Sequence, residues 1–202
     1  MNSTAKSFDG LAIEPAVHED EELKQRAEMI DGQIVYKALP GGEHAAAEYS
    51  FTHGIGAFFN RKKRNDGTGG WWILPEISIQ YLKISEKGRM LTADIAGWKR
   101  SEVPERPKGN PIKISPHWVC EICHTTRKKD TILVPETLCA EGVEWYWFVD
   151  VEENLLTVFH LENGRYSVVK TWSKDFGNAR IPPFDAVEFS LSVLFGDEPE
   201  DE

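Results

Sequence analysis

A chain of 202 residues with 41% hydrophobic content, seven Trp and ten Phe can bury one sizeable core and is short for two full domains. The formal charge is −10, and the tail residues Asp197, Glu198, Glu200, Asp201 and Glu202 carry five of those units, so the remainder, about −5, is still acidic. That balance argues against strong sequence-independent DNA binding, which draws on Lys and Arg neutralising phosphates.

No apolar run approaches the roughly 20 residues of a membrane span. The opening Met1-Asn2-Ser3-Thr4-Ala5-Lys6 lacks the apolar stretch of a secretory signal, and three Cys (Cys120, Cys123, Cys139) fit reduced thiols better than a disulfide framework. A cytoplasmic protein without membrane contact is expected. In chain order, residues 1 to about 20 read as a leader with little periodicity. Glu21 to Met29 has helix-forming composition, and Ile30-Asp31-Gly32-Gln33-Ile34-Val35-Tyr36 sets a turn dipeptide at the opening of a strand. After Pro40-Gly41-Gly42, the Pro-free stretch 43–59 predicts a helix carrying His44, Tyr49, Phe51 and Phe58, followed by a polar loop from Arg61 to Gly70.

Strands are expected at Trp71 to Tyr81, Met90 to Ala96 and Trp118 to Cys123, with an irregular Pro-rich connection from Val103 to Pro116. A short helix between Asp130 and Glu141 is entered at Pro135 and ended by Gly142. The aromatic strand Trp145 to Val149 suits burial on both faces, so its rings read as core rather than as a base-stacking platform. Glu152-Glu153-Asn154 then turns into Leu155 to Leu161, and Glu162-Asn163-Gly164 turns again into Arg165 to Trp172, a hairpin. Residues 197–202 read as a disordered acidic tail. The sum is one α/β (α+β) domain over residues 21–196, a mixed sheet with few helices and a C-terminal β-hairpin.

Two carboxylates stand out. Asp94 lies within Leu91-Thr92-Ala93-Asp94-Ile95-Ala96-Gly97-Trp98 and Glu121 within His117-Trp118-Val119-Cys120-Glu121-Ile122-Cys123. A lone charge on a buried sheet is costly unless it binds a metal, pairs with a cation or does chemistry. Strand alternation points Trp118, Cys120 and Ile122 one way and Val119, Glu121 and Cys123 the other. If Asp94 lands beside Glu121, their oxygens suit a hard divalent cation such as Mg²⁺, which would serve phosphodiester hydrolysis; otherwise each acid pairs with an Arg or Lys. Basic residues cluster at Arg61-Lys62-Lys63-Arg64, Lys99-Arg100 and Arg127-Lys128-Lys129, as solvated loops or as positive patches. Cys120-Glu121-Ile122-Cys123-His124 satisfies the c-type haem pattern and offers zinc-type donors, but an interior strand with its two Cys on opposite faces favours buried thiols.

The order of segments resembles the Uma-two family of putative restriction endonucleases within the PD-(D/E)xK superfamily, from about Ala27 to Gly196. The matching residues are Ile30-Asp31-Gly32-Gln33, His44-Ala45, Gly69-Gly70-Trp71-Trp72-Ile73-Leu74-Pro75-Glu76-Ile77 and Ala93-Asp94-Ile95-Ala96-Gly97-Trp98. They continue with Trp118-Val119-Cys120-Glu121-Ile122, Gly142-Val143, Tyr146-Trp147-Phe148-Val149-Asp150 and Pro183-Phe184-Asp185-Ala186-Val187-Glu188. The resemblance implies a restriction-endonuclease-like mixed sheet and hydrolysis of DNA with Mg²⁺ or Mn²⁺. It implies that Asp94 and Glu121 are the acidic ligands and that Glu76 is a further acid on the metal or orienting a ligand. A homodimer would let such an enzyme cut both strands.

This chain departs from the family pattern within the same site. The family lysine falls on Val134, the stretch after the glutamate reads His124-Thr125-Thr126-Arg127, the residue before Trp118 is His117, and the first motif has Ala93 in place of proline. Lys128 or Lys129 could supply the missing ammonium from a shifted position. The alternative is an inactive nuclease scaffold kept for nucleic-acid binding or regulation. His44 could reach a phosphate or serve as a cap or core residue.

Overall fold

The computed structural model describes residues 6–8, 11–13, 25–38, 41–123 and 132–198. Two short strands, β1 (Lys6–Phe8) and β2 (Leu11–Ile13), pair with each other within the segment expected to be a leader. Where composition suggested a helix before Ile30, Gln25–Ile30 is instead a strand, β3, paired antiparallel with β4 (Gln33–Ala38). The two turn residues decide this. Asp31 (φ 52°) and Gly32 (φ 85°) both take positive φ, the turn geometry that matches the twist of a hairpin, and six register pairs outweigh helix propensities of a few tenths of a kcal/mol.

Helix α1 (Gly42–Phe59) presents Ala47, Phe51, Ile55 and Phe59 as one buried stripe. It packs on a sheet ordered β10-β9-β8-β7-β6-β3-β4, with β5 paired to β6. The strands are β5 (Trp71–Tyr81), β6 (Arg89–Lys99), β7 (Trp118–Cys123), β8 (Trp145–Asp150), β9 (Leu155–Glu162) and β10 (Arg165–Ser173). β7 and β8 run parallel, joined through α2 (Val134–Glu141), and every other pairing is antiparallel, so the sheet is mixed. Gly142 ends α2 in the left-handed region, as its position after the helix demanded. The expected hairpin is β9–β10, turned at Asn163 and Gly164 with positive φ. Beyond it, β11 (Asn178–Arg180), β12 (Glu188–Ser190) and α3 (Leu191–Leu194) lie where the sequence had offered no element. Asp197, assigned to the acidic tail, is tied to Lys174 Nζ at 2.7 Å.

One core lies under α1 and the other on the opposite face under α2. In the first, Phe184 fills a well of rings from Phe59, Trp71, Trp118 and Trp147, at centroid distances of 4.8 to 5.6 Å. The family-like Pro183-Phe184 motif is thus a packing device. The second gathers Ile79, Tyr81, Leu91, Val119, Val134, Leu138 and Tyr146. As expected, the aromatic strand β8 is buried on both sides, Trp147 in the first core and Tyr146 in the second.

Simple alternation fails at one place. On β5, Trp71 and Ile73 face the first core with Trp72 and Leu74 against the second, yet Ile77, Ile79 and Tyr81 all face the second. On β6, Leu91 and Ala93 share the second core with Ala96 and Trp98. Both strands change parity at the step where Glu76 and Asp94 oppose each other, between the pairs Pro75↔Ile95 and Ile77↔Ala93. Glu76 there has φ 45°, a left-handed conformation costing a non-glycine residue about 1–2 kcal/mol. The usual strand preferences should therefore invert at this position: Glu76→Val lowers Tm by several degrees, whereas Glu76→Gly leaves it level or higher, as thermal melts would show.

At the start of β6 the buried guanidinium of Arg89 bonds Asp31 (Nη2 to Oδ2, 3.1 Å), Glu136 (Nη1 to Oε2, 3.0 Å) and Thr137 (Nη1 to Oγ1, 2.8 Å), fastening the β3–β4 turn and α2 to the sheet. Hydrogen bonding from Arg89 holds the Asp31 carboxyl below its ordinary value. A depressed folded-state pKa means stability that is fully present above the unfolded value, about 3.9, and lost as pH falls through the folded one. The Tm gap between native protein and Asp31→Asn should accordingly be constant above pH 5 and narrow below about pH 4.

Candidate metal and catalytic centre

β5 occupies one edge of β6 along its whole length, so β7 and β3 must share the other. β7 pairs with residues Ile95 to Gly97, β3 pairs only with Arg89 and Met90, and the edge between them forms a fork in the sheet. Two carboxylates replace the missing ladder there. Asp94 Oδ2 accepts the backbone N–H of Ile122 at 2.7 Å, and Glu28 Oε1 on β3 accepts that of Thr92 at 3.2 Å. The parity change at Glu76 and Asp94 is what turns the Asp94 carboxylate into this gap.

Asp94 (2% exposed) and Glu121 (5%) are both buried, as their apolar runs required. They sit one residue beyond the last β6–β7 pair, Ile95↔Cys120. From α1, His44 Nε2 lies 3.2 Å from Asp94 Oδ2, and its Nδ1 lies 3.9 Å from Glu48 Oε2. Burial first, then the charges of Asp94, Glu121 and Glu48, push the Cys120 thiol well above the ordinary thiol range. Tyr81, on the second core, is likewise raised by burial and then by the Glu121 charge.

The structure sets His44 beside Asp94, with Glu48 3.9 Å from the other ring nitrogen, and buries Glu121 and Glu28 on the strands that flank the fork. Sequence reasoning missed Glu48 and Glu28. Glu48 had a signal, since His44 and Glu48 are polar residues i,i+4 on the same stripe as Ala47, Phe51 and Ile55. Glu28 had none, because the strand carrying it was read as helix. Glu76 stands at the kink opposite Asp94 with its side chain exposed. His117 belongs elsewhere: its Nδ1 accepts the Lys99 N–H at 3.2 Å and its Nε2 meets Glu102 at 3.0 Å, at the closed end of the β6–β7 ladder. Val134 is 4% exposed in the second core. Lys128, Lys129 and His124 lie outside the described residues.

Among the described residues no three His, Cys, Asp or Glu side chains converge to cage a metal. The donor set nonetheless fits a hard divalent cation. Mg²⁺ takes one or two carboxylates and completes its shell with water and substrate phosphates, so the buried oxygens of Asp94 and Glu121 are chemically suitable donors. No helix of the described residues is long and apolar enough to cross a membrane.

A family model for Uma2, described as "Putative restriction endonuclease", matches residues 13–193. Among solved structures, one from Anabaena variabilis, described as a putative nuclease belonging to DUF820, superposes with a TM-score of 0.67 at 18% identity, covering 89% of this chain and 93% of the other. No curated protein matches. The structural likeness establishes the fold, a mixed α+β architecture shared with that protein.

Proposed function

The chain belongs to the Uma2 family, and we propose that it is a divalent-metal-dependent nuclease of the PD-(D/E)xK type, hydrolysing DNA phosphodiester bonds at the sheet fork. The supporting observation is the placement of Asp94, aimed into the gap between β6 and β7 by the Ile122 N–H, with Glu121 buried beside it. Asp94 and Glu121 would hold Mg²⁺ or Mn²⁺; the family resemblance adds Glu76, which stands exposed on β5 opposite Asp94. The ion would polarise a phosphoryl oxygen and lower the pKa of its water.

The chain's own groups position the reaction. His44, when its Nε2 carries the proton, donates to Asp94 Oδ2 and fixes the carboxylate. Glu48 Oε2 lies 3.9 Å from the other ring nitrogen, one turn along α1, and attracts the imidazole only when it is doubly protonated. An ammonium from Lys128 or Lys129, in the segment that follows Glu121, would balance charge building on the scissile phosphate. Cleavage of plasmid and single-stranded DNA with Mg²⁺ or Mn²⁺, set against EDTA and against Glu121→Gln, tests this reading. Metal-dependent cutting that the variant lacks supports it, and cutting that survives in the variant refutes it.

A second reading has its own support. Val134 is packed into the core where the family carries its lysine, as in a scaffold that has given up hydrolysis and kept nucleic-acid binding. It predicts DNA binding with no turnover in either metal.

A further inference from the structure

Two basic segments far apart in sequence meet at the C-terminal end of α1. Lys62 and Lys63 from the loop after α1, and Lys99 and Arg100 from the end of β6, line one cleft of about 980 Å³ floored by Phe59 and Trp71. This cleft contains none of the fork residues.

The loop is built to hold its lysines in place. Gly69 N–H donates to Phe58 O at 3.0 Å, Gly70 N–H to Arg61 O at 2.7 Å, and Arg100 N–H to Gly70 O at 2.8 Å, stitching the loop to α1 and β6. Gly69 has φ 74°, and a Cβ there would sit 2.1 Å from Lys62 O, so only glycine lets the strands of the loop close. Arg100 lies flat on Trp72, Cζ 3.5 Å from the ring centre, with Nε donating to Trp71 O. Lys99 is bridged to Glu144. Lys62 and Lys63 are exposed and make no ion pair among the described residues. Four cations thus face the two carboxylates of Glu144 and Asp185, a positive pocket on a chain of net charge −10. Its walls add the rings of Trp71 and Trp145.

We propose that this cleft anchors the phosphodiester backbone of DNA, with two phosphates on Lys62 and Lys63, as a second contact separate from the carboxylate fork. It rests on the nuclease reading for its ligand. From His44 to Phe59 α1 runs roughly 22 Å, and from Trp71 to Glu76 β5 runs roughly 17 Å. The cleft therefore stands about 20 Å from the fork, about six base pairs of duplex. A strand held there reaches the fork along the length of α1, which fixes where the backbone is cut relative to where it is gripped.

The test is fluorescence anisotropy of a labelled 20-base-pair duplex in Ca²⁺ across a salt series. Each phosphate contact contributes about 0.9 to the slope of log affinity against log salt, so Lys62→Ala/Lys63→Ala should flatten it by about 1.8. Between 50 and 200 mM salt the native protein then loses about tenfold more affinity than the variant. Lys62→Arg/Lys63→Arg should keep the native slope, because charge and reach are retained. An unchanged slope in the alanine variant, an equal loss in the arginine variant, or no duplex binding by native protein overturns the proposal. Cleavage assays on the same proteins separate the two readings. A flattened slope without native cutting leaves the cleft standing and removes the nuclease, whereas cutting abolished by Asp94→Asn with an unchanged slope does the reverse.

Discussion

Asp94→Asn is expected to lower metal-dependent DNA cleavage by at least about a hundredfold while leaving the fold intact. The carboxamide keeps an oxygen for the Ile122 N–H, which Asp94 Oδ2 accepts at 2.7 Å, but loses the negative charge a hard cation needs. Tm should move by no more than a few degrees, since a net hydrogen bond difference of about 1 kcal/mol shifts a chain of this size by about 2–4 °C. Asp94→Ala behaves differently: it strands a buried N–H at the fork, costing about 1–3 kcal/mol, so it loses activity and stability together. Plasmid nicking and thermal melts on both variants separate the roles. Equal cutting by Asp94→Asn and native protein would place the chemistry away from the fork.

Much of this architecture was readable from local rules. The I-D-G-Q turn, the strand Trp71–Tyr81, the cap at Gly142 and the β9–β10 hairpin each follow from a residue with one backbone preference or from a long apolar run. The strand β3 was misread because Gln25 to Ile30 lacks such a marker and takes its state from pairing with β4 and β6. The burial of Asp94 and Glu121 was legible because their neighbours are apolar. Their environment was not. It depends on a parity change at Glu76 and Asp94 that no two-residue periodicity contains, and on β3 and β7 sharing one edge of β6, a property of topology. The meeting of Lys62 and Lys63 with Lys99 and Arg100 is hidden for the same reason.

Val134→Lys should lower stability and raise cleavage at once. Val134 opens α2 with 4% of its surface exposed, packed with Leu138 and Tyr81 in the second core. An ammonium in that place costs several kcal/mol unless it meets an anion or gives up its proton, enough to lower Tm by roughly 5 °C or more. Glu121 is the anion in question, because it shares a face of β7 with Val119, which packs in this same cluster. A lysine meeting Glu121 would set a positive charge next to the reacting phosphate, where one fixed donor is worth about a hundredfold or more in rate. Val134→Met, of similar reach and no charge, should cost under about 1.5 kcal/mol and leave cleavage unchanged. A fall in Tm with no gain in cleavage would show that position 134 no longer serves the centre. The ammonium would then have to come from Lys128 or Lys129, and Lys128→Ala/Lys129→Ala would abolish whatever cutting the native protein has.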